Sequence, residues 1–226
     1  GWYRGVPVLS EDTTTTIYEN GLQYIVDFKE GQKTGFFLDQ KYNRLLVRNL
    51  AKDMNVLDCC THTGSFAMNA ALGGAKEVTA LDISAKALED AKTNFSLNNL
   101  NIMTKEADLF DYLRELVDSK SKKYDLIILD PPAFTKSRST IKNALKGYQE
   151  INYLAMKALP RGGYLVTASC SHYASEEDFT RAIFDASLKA SVSLRVVKKA
   201  YAAPDHPELL GVSETKYLKF FIFQVV

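Results

Sequence analysis

The chain has 226 residues and a formal net charge of +1, with 46% apolar and 24% charged residues. This composition is ordinary for a globular protein, and the length suffices for one large domain or one domain with an extension. The near-neutral charge excludes a polyanion-binding surface over the whole molecule, so any contact with nucleic acid must use local patches. The longest apolar runs, such as residues 126–129, are far too short to span a bilayer, and we expect no membrane partner.

The number and spacing of the cysteines and histidines indicate whether the chain forms disulfides or holds a metal. The three cysteines are Cys59, Cys60 and Cys170, and the three histidines are scattered. An odd cysteine count with two adjacent members is a poor disulfide framework, and no Cys/His spacing is typical of a zinc site. The sequence therefore predicts a reduced, cytoplasmic protein that holds no metal.

The N-terminal part of the chain predicts a β-hairpin followed by a helix. Residues 13–18 and 22–28 are rich in β-branched and aromatic side chains, and Glu-Asn-Gly lies between them. Apolar residues at helical spacing then cover 38–51. These residues are Leu38, Tyr42, Leu45, Leu46 and Leu50. We divide the chain here, into a hairpin extension over 1–37 and the main domain over 38–226.

From residue 54 onward, predicted strands and helices alternate. The predicted strands cover 54–60, 77–83, 102–108, 124–130, 162–170, 193–201 and 216–226. The predicted helices cover 65–74, 84–99, 109–119, 141–159 and 175–190. This alternation predicts an α/β fold with a mostly parallel seven-stranded sheet and helices on both faces. The last two strands, which we expect a short loop to join, are predicted to pair antiparallel.

Five of the predicted strands end in residues that can carry chemistry. In such a sheet, ligands bind at the carboxyl ends of the strands. Four of these ends carry an acid and the fifth carries a cysteine. The residues are Asp58, Asp82, Asp108, Asp130 and Cys170.

The first two strand ends suggest a nucleoside cofactor. Residues 58–66 read as strand, turn and helix, with Gly64 in the turn, where a backbone without Cβ allows close approach of a ligand. Asp82, at the next strand end, suits an acid that holds the two hydroxyls of a ribose. Asp108 is a candidate for the adenine amino group or, alternatively, the N-cap of the following helix. A dinucleotide and S-adenosylmethionine both fit these residues, and an ordinary tight turn is the alternative.

The sequence Asp130-Pro-Pro-Ala-Phe134 favours a planar substrate. Two prolines make a stiff bend, on which a flat ring could stack against Phe134 while Asp130 bonds its polar edge. The alternative is a rigid loop with Phe134 in the core.

Four cations and no acid lie between residues 135 and 146. They are Lys136, Arg138, Lys142 and Lys146. Such a cluster suits contacts to phosphates, and a solvated helix start explains it equally well.

Cys170 is a candidate nucleophile beside this nucleoside pocket. Methylating C5 of a pyrimidine needs a thiolate that adds to C6, because C5 is not nucleophilic until electron density is pushed toward it. The alternative is a small filler in a buried strand. Cys59 and Cys60, in the cofactor turn, are much weaker candidates.

Seven stretches together resemble the RlmI-type 23S ribosomal RNA 5-methylcytosine methyltransferase family. They are 31–44, 56–75, 80–84, 125–137, 148–152, 167–171 and 205–219. The resemblance implies a Rossmann-like class I methyltransferase fold, S-adenosylmethionine as cofactor and 23S ribosomal RNA as partner. A homodimer is left open.

The matching motifs also imply roles for individual residues. The implied cofactor-binding residues are Phe37, Asp39, Gln40, Asp58, Thr63, Gly64, Asp82, Ile83, Asp108, Leu109 and Asp130. Cys170 would be the nucleophile, and Asp130 would also face the target base as a catalytic residue. The implied substrate-binding residues are Pro131, Pro132, Phe134, Lys136 and Arg138.

The chain departs from related enzymes in two respects. Many RNA cytosine-C5 methyltransferases carry a second cysteine after the proline of the fourth motif, where Ala133 and Phe134 stand here. RlmI-type members also lack it, so the base that removes the C5 proton stays unidentified. Family members typically begin with a PUA-type RNA-binding domain, for which there is no room ahead of the hairpin. We therefore expect this chain to be the catalytic part of a longer protein.

The expected activity is methyl transfer to C5 of a cytosine in large-subunit ribosomal RNA. One alternative keeps the cofactor but methylates a nitrogen of guanine or adenine in RNA through the Asp-Pro-Pro-Ala-Phe loop, which needs no thiolate. Two others are a nicotinamide-dependent oxidoreductase and a non-catalytic RNA-binding module.

Overall fold

The computed structural model describes residues 2–3, 6–7, 13–29, 35–120, 122–135 and 137–226. For residues 2, 3, 6, 7 and 138 it describes the backbone alone. The strands are β1 (Trp2–Tyr3), β2 (Val6–Pro7), β3 (Thr14–Glu19), β4 (Leu22–Asp27), β5 (Asn55–Cys59), β6 (Glu77–Asp82), β7 (Met103–Glu106), β8 (Leu126–Leu129), β9 (Tyr164–Ser169), β10 (Leu194–Ala200) and β11 (Lys219–Val225). The helices are α1 (Lys41–Leu50), α2 (Ser65–Leu72), α3 (Ala85–Leu97), α4 (Leu109–Asp118), α5 (Ile141–Ala158) and α6 (Glu176–Ala190). Short 3-10 turns lie at Leu38–Gln40, Arg138–Thr140 and Ser213–Thr215.

The main sheet has seven strands in the order β10-β11-β9-β8-β5-β6-β7. Adjacent strands from β9 to β7 pair in parallel, whereas β11 runs antiparallel to both β9 and β10. The predicted α/β fold, with its mostly parallel sheet and antiparallel last strand, is confirmed. This topology brings the carboxyl ends of β5, β6, β7, β8 and β9 to one edge of the sheet.

The core lies on both faces of this sheet because the central strands are apolar throughout. All four residues of β8 are fully buried, as expected for a strand covered on both sides. Leu126 and Ile128 join one apolar cluster, while Ile127 and Leu129 join the other. The alternation follows from the two-residue period of a strand.

The N-terminal hairpin pairs β3 with β4 through a two-residue turn at Asn20 and Gly21. Both turn residues have positive φ, 54° and 75°, which is the backbone that type I′ hairpins require. Leu22, Tyr24 and Val26 on one face of β4 are buried in the same cluster as α2 and α3. The hairpin therefore shares a core with the helices of residues 38–226, and the domain boundary at residue 37 stays a prediction.

A buried ion pair joins the hairpin to α1. The guanidinium of Arg44 donates to both carboxylate oxygens of Glu19, at 2.6 and 2.8 Å, and to the carbonyl of Phe37 at 2.8 Å. Arg44 is 1% exposed and Glu19 6%. The polar residues Asn43 and Arg44 thus share the inner face of α1 with Val47, while Tyr42, which has the predicted apolar spacing, is half exposed.

The connection between β10 and β11 is long, so the expected short loop is wrong. It covers residues 201–218 and returns to the carboxyl edge of the sheet. The amide of Ala203 donates to the carbonyl of Asp39 at 2.8 Å, and Lys41 pairs with Asp205 at 2.7 Å. These contacts place the connection over the 3-10 turn that precedes α1.

The described part of the chain holds no helix with the length and apolar content of a membrane crossing.

Candidate active site at the carboxyl edge of the sheet

A cleft of about 480 Å³ opens where the parallel strands end. Because β5, β6, β7, β8 and β9 run the same way, their final residues meet there. Most of the residues predicted from the sequence line it. They are Phe37, Asp39, Gln40, Asp82, Ile83, Asp108, Leu109, Asp130, Pro131, Pro132, Phe134 and Cys170.

Asp58 lies behind the wall of the cleft. It is 1% exposed, and its Oδ2 accepts from the Thr61 hydroxyl at 2.6 Å and from the Ala67 amide at 2.9 Å. Its Oδ1 has no hydrogen-bond partner among the described residues. Burial, and to a smaller extent the nearby Asp130, raise the pKa of Asp58 to about 7 against the opposing effect of these two hydrogen bonds.

Gly64 and Thr63 are also buried and do not line the cleft. Gly64 has a φ of +82°, and a Cβ there would lie 2.3 Å from the ring of Phe95 on α3. The glycine is therefore required by the turn and by the close packing of α3, and the expected close approach to a ligand is not what demands it. The carbonyl of Thr63 accepts from Asn94 at 3.1 Å, which fixes the turn against the same helix.

Two carboxylates are oriented by backbone amides. Asp82 accepts from the amide of His62 at 2.9 Å and from that of Ser84 at 3.0 Å. Asp108 accepts from the amides of Phe110 and Asp111 at 2.8 and 3.2 Å, and so caps α4. Asp108 lines the cleft as well, so its helix-capping position does not remove it from the site.

Asp130 is held by a chain of amides. The Nε2 of Gln40 donates to both oxygens of Asp130, at 3.2 and 3.3 Å. The Oε1 of Gln40 accepts from Asn43 at 2.6 Å, and Asn43 also donates to the carbonyl of Tyr201 at 3.1 Å. Since Asn43 fixes which end of the Gln40 amide faces Asp130, the aspartate is presented with a hydrogen-bond donor.

Asp39 brings the β10–β11 connection to the cleft. Its Oδ2 accepts from the hydroxyl of Tyr217 at 2.7 Å, and its Oδ1 has no hydrogen-bond partner in the described part of the chain. Asp39 is 6% exposed. Burial, and then the hydrogen bond to Asp39, raise the pKa of Tyr217, so this phenol stays a donor at neutral pH.

Phe134 divides its surface between the cleft and the core. Its ring lies 4.7 Å from that of Tyr148 and 6.2 Å from that of Phe110. Pro131 is buried, whereas Pro132 is exposed. The loop therefore offers its proline bend and one side of the Phe134 ring to the cleft.

The three cysteines have different surroundings. Cys59 is fully buried, and burial raises the pKa of its thiol well above the ordinary value. Cys60 lines the cleft, but burial and the nearby Asp82 raise its thiol pKa as well. Cys170 is half-buried and lines the same cleft as Asp130. Cys59 and Cys60 are thus poor sources of a thiolate.

The structure describes only part of the basic segment. Lys136 lies outside the described residues, and so does the side chain of Arg138. Lys142 and Lys146 are exposed on the first two turns of α5, one helical turn apart. Because α5 follows the carboxyl end of β8, these two lysines lie on the side of the sheet where the cleft opens.

Several residues of the cleft have no binding role predicted from the sequence, although many of them lie within the stretches that carry the family resemblance. They are Arg44, Cys60, Thr61, His62, Ser65, Phe66, Leu81, Ser84, Lys86, Ala87, Asp90, Ala107, Phe110 and Leu218. His62 lies in the turn after β5, has a φ of 51° and packs edge-on against Phe37 at 5.4 Å. Burial lowers the pKa of this imidazole. Its place in the turn after the first strand of the main sheet is the one signal that could have marked it.

No group of three or more His, Cys, Asp or Glu side chains in the described ranges lies close enough together to hold a metal ion.

The fold and the cleft together indicate the class of protein to which the chain belongs. A seven-stranded sheet with an antiparallel β11, and a cleft with acids at successive strand ends, is an α/β nucleoside-binding architecture. Residues 1–223 match the family of S-adenosylmethionine-dependent methyltransferases, and the chain belongs to that family. The expected cofactor, S-adenosylmethionine, is thereby confirmed, and the nicotinamide alternative is wrong.

Named relatives agree with this membership. The chain is 41% identical over 213 residues to "Ribosomal RNA large subunit methyltransferase I" of Pseudoalteromonas atlantica, covering 93% of this chain and 54% of that protein. It is 39% identical to the protein of the same name from Shewanella frigidimarina, covering 92% and 53%. The resemblance read from the sequence motifs is confirmed. The chain spans about half the length of these curated relatives.

A solved structure shares the fold. A protein from Streptococcus mutans, provisionally described as a SAM-dependent methyltransferase, superposes with a TM-score of 0.85 at 25% identity. The match covers 97% of this chain and 57% of that one.

Proposed function

We propose that this chain transfers a methyl group from S-adenosylmethionine to C5 of a cytosine in large-subunit (23S) ribosomal RNA, with Cys170 as nucleophile. The observation that carries the proposal is that Cys170 and Asp130 line the same cleft as Asp82 and Asp108. A thiol, a target-facing acid and the nucleoside-facing acids thus share one space. The names of the curated relatives support ribosomal RNA as the substrate.

The cleft fits the cofactor in size and in charge. Its volume of about 480 Å³ lies within the range of roughly 300–1,000 Å³ typical of ligand pockets. Asp82, held by two amides, suits the ribose hydroxyls, and Asp108 suits the adenine amino group. The buried Oδ1 of Asp39, which lines the cleft and has no hydrogen-bond partner among the described residues, suits a ligand that carries positive charge.

When bound, S-adenosylmethionine supplies an electrophilic methyl group on a sulfonium. The Cys170 thiolate forms a bond to C6 of the cytosine, which leaves the electron pair of the C5–C6 double bond at C5. C5 takes the methyl group, and S-adenosylhomocysteine is the leaving product. An unassigned base or a water molecule then removes the C5 proton, the double bond re-forms, and the thiolate is expelled.

Asp130 orients the ring during these steps. Gln40 donates to both oxygens of Asp130, which leaves the carboxylate able to accept from the exocyclic N4 amino group of the cytosine, next to N3. The neighbouring Pro131, Pro132 and Phe134 form the wall against which the ring lies. The base must leave its stack to reach this depth.

The RNA backbone is held outside the cleft. Lys142 and Lys146 are exposed on the side of the sheet where the cleft opens, and Lys136 and Arg138 belong to the same basic segment of the sequence. These cations suit phosphates on either side of the flipped nucleotide. A ribosomal substrate also places the reaction in the cytoplasm, and a homodimer stays a prediction.

The test is methylation of ribosomal RNA followed by mass spectrometry of its nucleosides. The full chain with S-adenosylmethionine should produce 5-methylcytosine, and Cys170→Ala should produce none. Ser171→Ala is the matched control, because the buried Ser171 hydroxyl has no hydrogen-bond partner among the described residues, so its loss should leave the product intact. A methylated guanine or adenine, or an undiminished product from Cys170→Ala, would favour the nitrogen-methylating alternative.

A further inference from the structure

Lys219, at the start of β11, is almost completely buried, although it ends in an ammonium group. It is 1% exposed, and its Nζ donates to the carbonyl of Ser171 at 2.5 Å and to that of Ala174 at 2.6 Å. No carboxylate of the described residues lies within ion-pair distance of it. A buried cation with only carbonyl partners destabilises a fold unless another charge compensates it, so its presence calls for a reason.

The position of Lys219 relates it directly to Cys170. In the antiparallel pairing of β11 with β9, Lys219 stands opposite Ser169, the residue before the cysteine. Its two hydrogen bonds hold the carbonyls of the segment that follows the cysteine. On the other side, the hydroxyl of Ser169 donates to the buried hydroxyl of Tyr148 at 3.0 Å. Cys170 therefore lies between Ser169, whose side chain is held by Tyr148, and Ser171, whose carbonyl is held by Lys219.

The charged and titratable groups around this pair come from every element packed against it. They are Tyr148 on α5, Glu176 and Asp178 on α6, Tyr217 before β11, Asp130 after β8 and Cys170 itself. The three carboxylates have other partners, and that of Asp130 is Gln40. Glu176 accepts from Lys199 and from the hydroxyl of Tyr201, both at 3.0 Å, and Asp178 forms the capping box of α6 with Ser175.

We infer that Lys219 is a positioning residue for Cys170, whose buried ammonium fixes the loop that carries the cysteine and stabilises its thiolate. The inference rests on the proposed function for the role of that thiolate. Burial lowers the pKa of Lys219 to about 8, and Cys170 acts in the opposite direction. Attraction is mutual, so the same interaction lowers the pKa of the cysteine and increases the fraction of thiolate at neutral pH.

The experiment measures how alkylation of Cys170 by iodoacetamide depends on pH, in the full chain without cofactor. Trypsin releases residues 162–181, which contain Cys170 alone, whereas Cys59 and Cys60 share the fragment 53–76. Mass spectrometry therefore reads the reactive thiol separately. In the unmodified chain, we expect an apparent pKa below the ordinary thiol value of about 8.5. A value of 8.5 or above would overturn the inference without any variant.

The variants test the cause. Lys219→Met should raise this pKa by at least about one unit, which makes alkylation at pH 7 roughly tenfold slower, with the wild-type rate recovered at high pH. Lys219→Arg, which keeps a positive charge at this position, should keep the thiol pKa of Cys170 close to that of the unmodified chain. Lys216→Met, which removes an exposed charge three residues away, should leave the profile unchanged. An unshifted profile in a folded Lys219→Met protein would show that the lysine is merely structural.

This readout is independent of methyl transfer. If Cys170→Ala still methylates RNA, the proposed nucleophile is wrong even where the alkylation profile shifts. If Cys170→Ala is inactive but Lys219→Met alkylates like the wild type, the nucleophile stands and the role of Lys219 is wrong.

Discussion

At the scale of single residues, the site consists of carboxylates whose surroundings differ. Asp82 and Asp108 are oriented by backbone amides, Asp130 by Gln40, and Asp39 by Tyr217. Asp58 combines an oxygen that has no partner among the described residues with a pKa raised to about 7. Ionisation of Asp58 therefore destabilises the folded chain. A residue that destabilises the fold in this way is expected where the side chain serves binding.

The raised pKa of Asp58 predicts that Asp58→Asn stabilises the folded chain, and that this stabilisation depends on pH. Because the folded pKa is raised above the unfolded value of about 3.9, the wild type loses stability as pH rises from about 4 to about 7, by up to roughly 4 kcal/mol. The asparagine can still accept from Thr61 and Ala67 but cannot ionise. Without cofactor, we expect the variant to melt several degrees higher at pH 8 and equally at pH 4.

Calorimetry across this pH range measures the difference, and titration with S-adenosylhomocysteine measures the accompanying loss of affinity. The variant should bind this ligand more weakly than the wild type does. Equal melting temperatures at pH 8 would mean that Asp58 is not ionised at a cost in the folded chain.

At the scale of elements, the strand ends could be predicted from the sequence, but the inner face of α1 could be predicted only in part, since Leu46 and Leu50 pack against the core. Apolar runs that end in an acid locate Asp82 and Asp130, because strand alternation is a local pattern. The spacing of Leu38 and Tyr42 predicts a helix, yet both residues are exposed and Arg44 takes the buried position. Arg44 is buried because Glu19, on a different element, neutralises it, and a pairing of this kind leaves no periodic signal.

The hairpin and α1 should therefore depend on each other. Glu19→Gln leaves the Arg44 guanidinium buried without a counter-charge, and we expect it to destabilise the chain by about 3–5 kcal/mol. Urea unfolding measures this loss. Glu89→Gln, which breaks an exposed ion pair with Lys92, is the control and should cost about 1 kcal/mol or less. Similar losses in both variants would contradict a structural role for the buried pair.

At the scale of the whole molecule, the long β10–β11 connection contacts the edge of the cleft through Leu218 and Tyr217, and sequence reasoning did not place it there. Tyr217 and Asp39 form a hydrogen bond although 178 residues separate them. No local pattern encodes such a contact, and the expectation of a short loop between β10 and β11 missed it. Gly64 is a related case, since the residue that requires it, Phe95, lies on another helix. Sequence motifs identify most of the residues of the site, but which of these residues face the cleft depends on tertiary packing.

The position of α5 predicts how RNA binding depends on salt. Lys142→Ala with Lys146→Ala should reduce the slope of log affinity against log salt by about 0.7 for each phosphate that these lysines neutralise, when a single-stranded fragment of ribosomal RNA is titrated. Lys157→Ala with Arg161→Ala changes the same number of charges at the opposite end of α5 and should leave the slope unchanged. Equal slopes in both double variants would place the RNA on another surface.

The most direct measurement of the central claim is the covalent link between Cys170 and the target base. Ribosomal RNA that carries 5-fluorocytosine should trap it, since fluorine at C5 cannot leave as a proton does and the adduct cannot resolve. With S-adenosylmethionine present, we predict that the fragment 162–181 carries a methylated fluorocytosine on Cys170, and that Cys170→Ala forms no such link. Formation of 5-methylcytosine on ordinary RNA, with no covalent complex on the fluorinated RNA, would contradict Cys170 as the nucleophile.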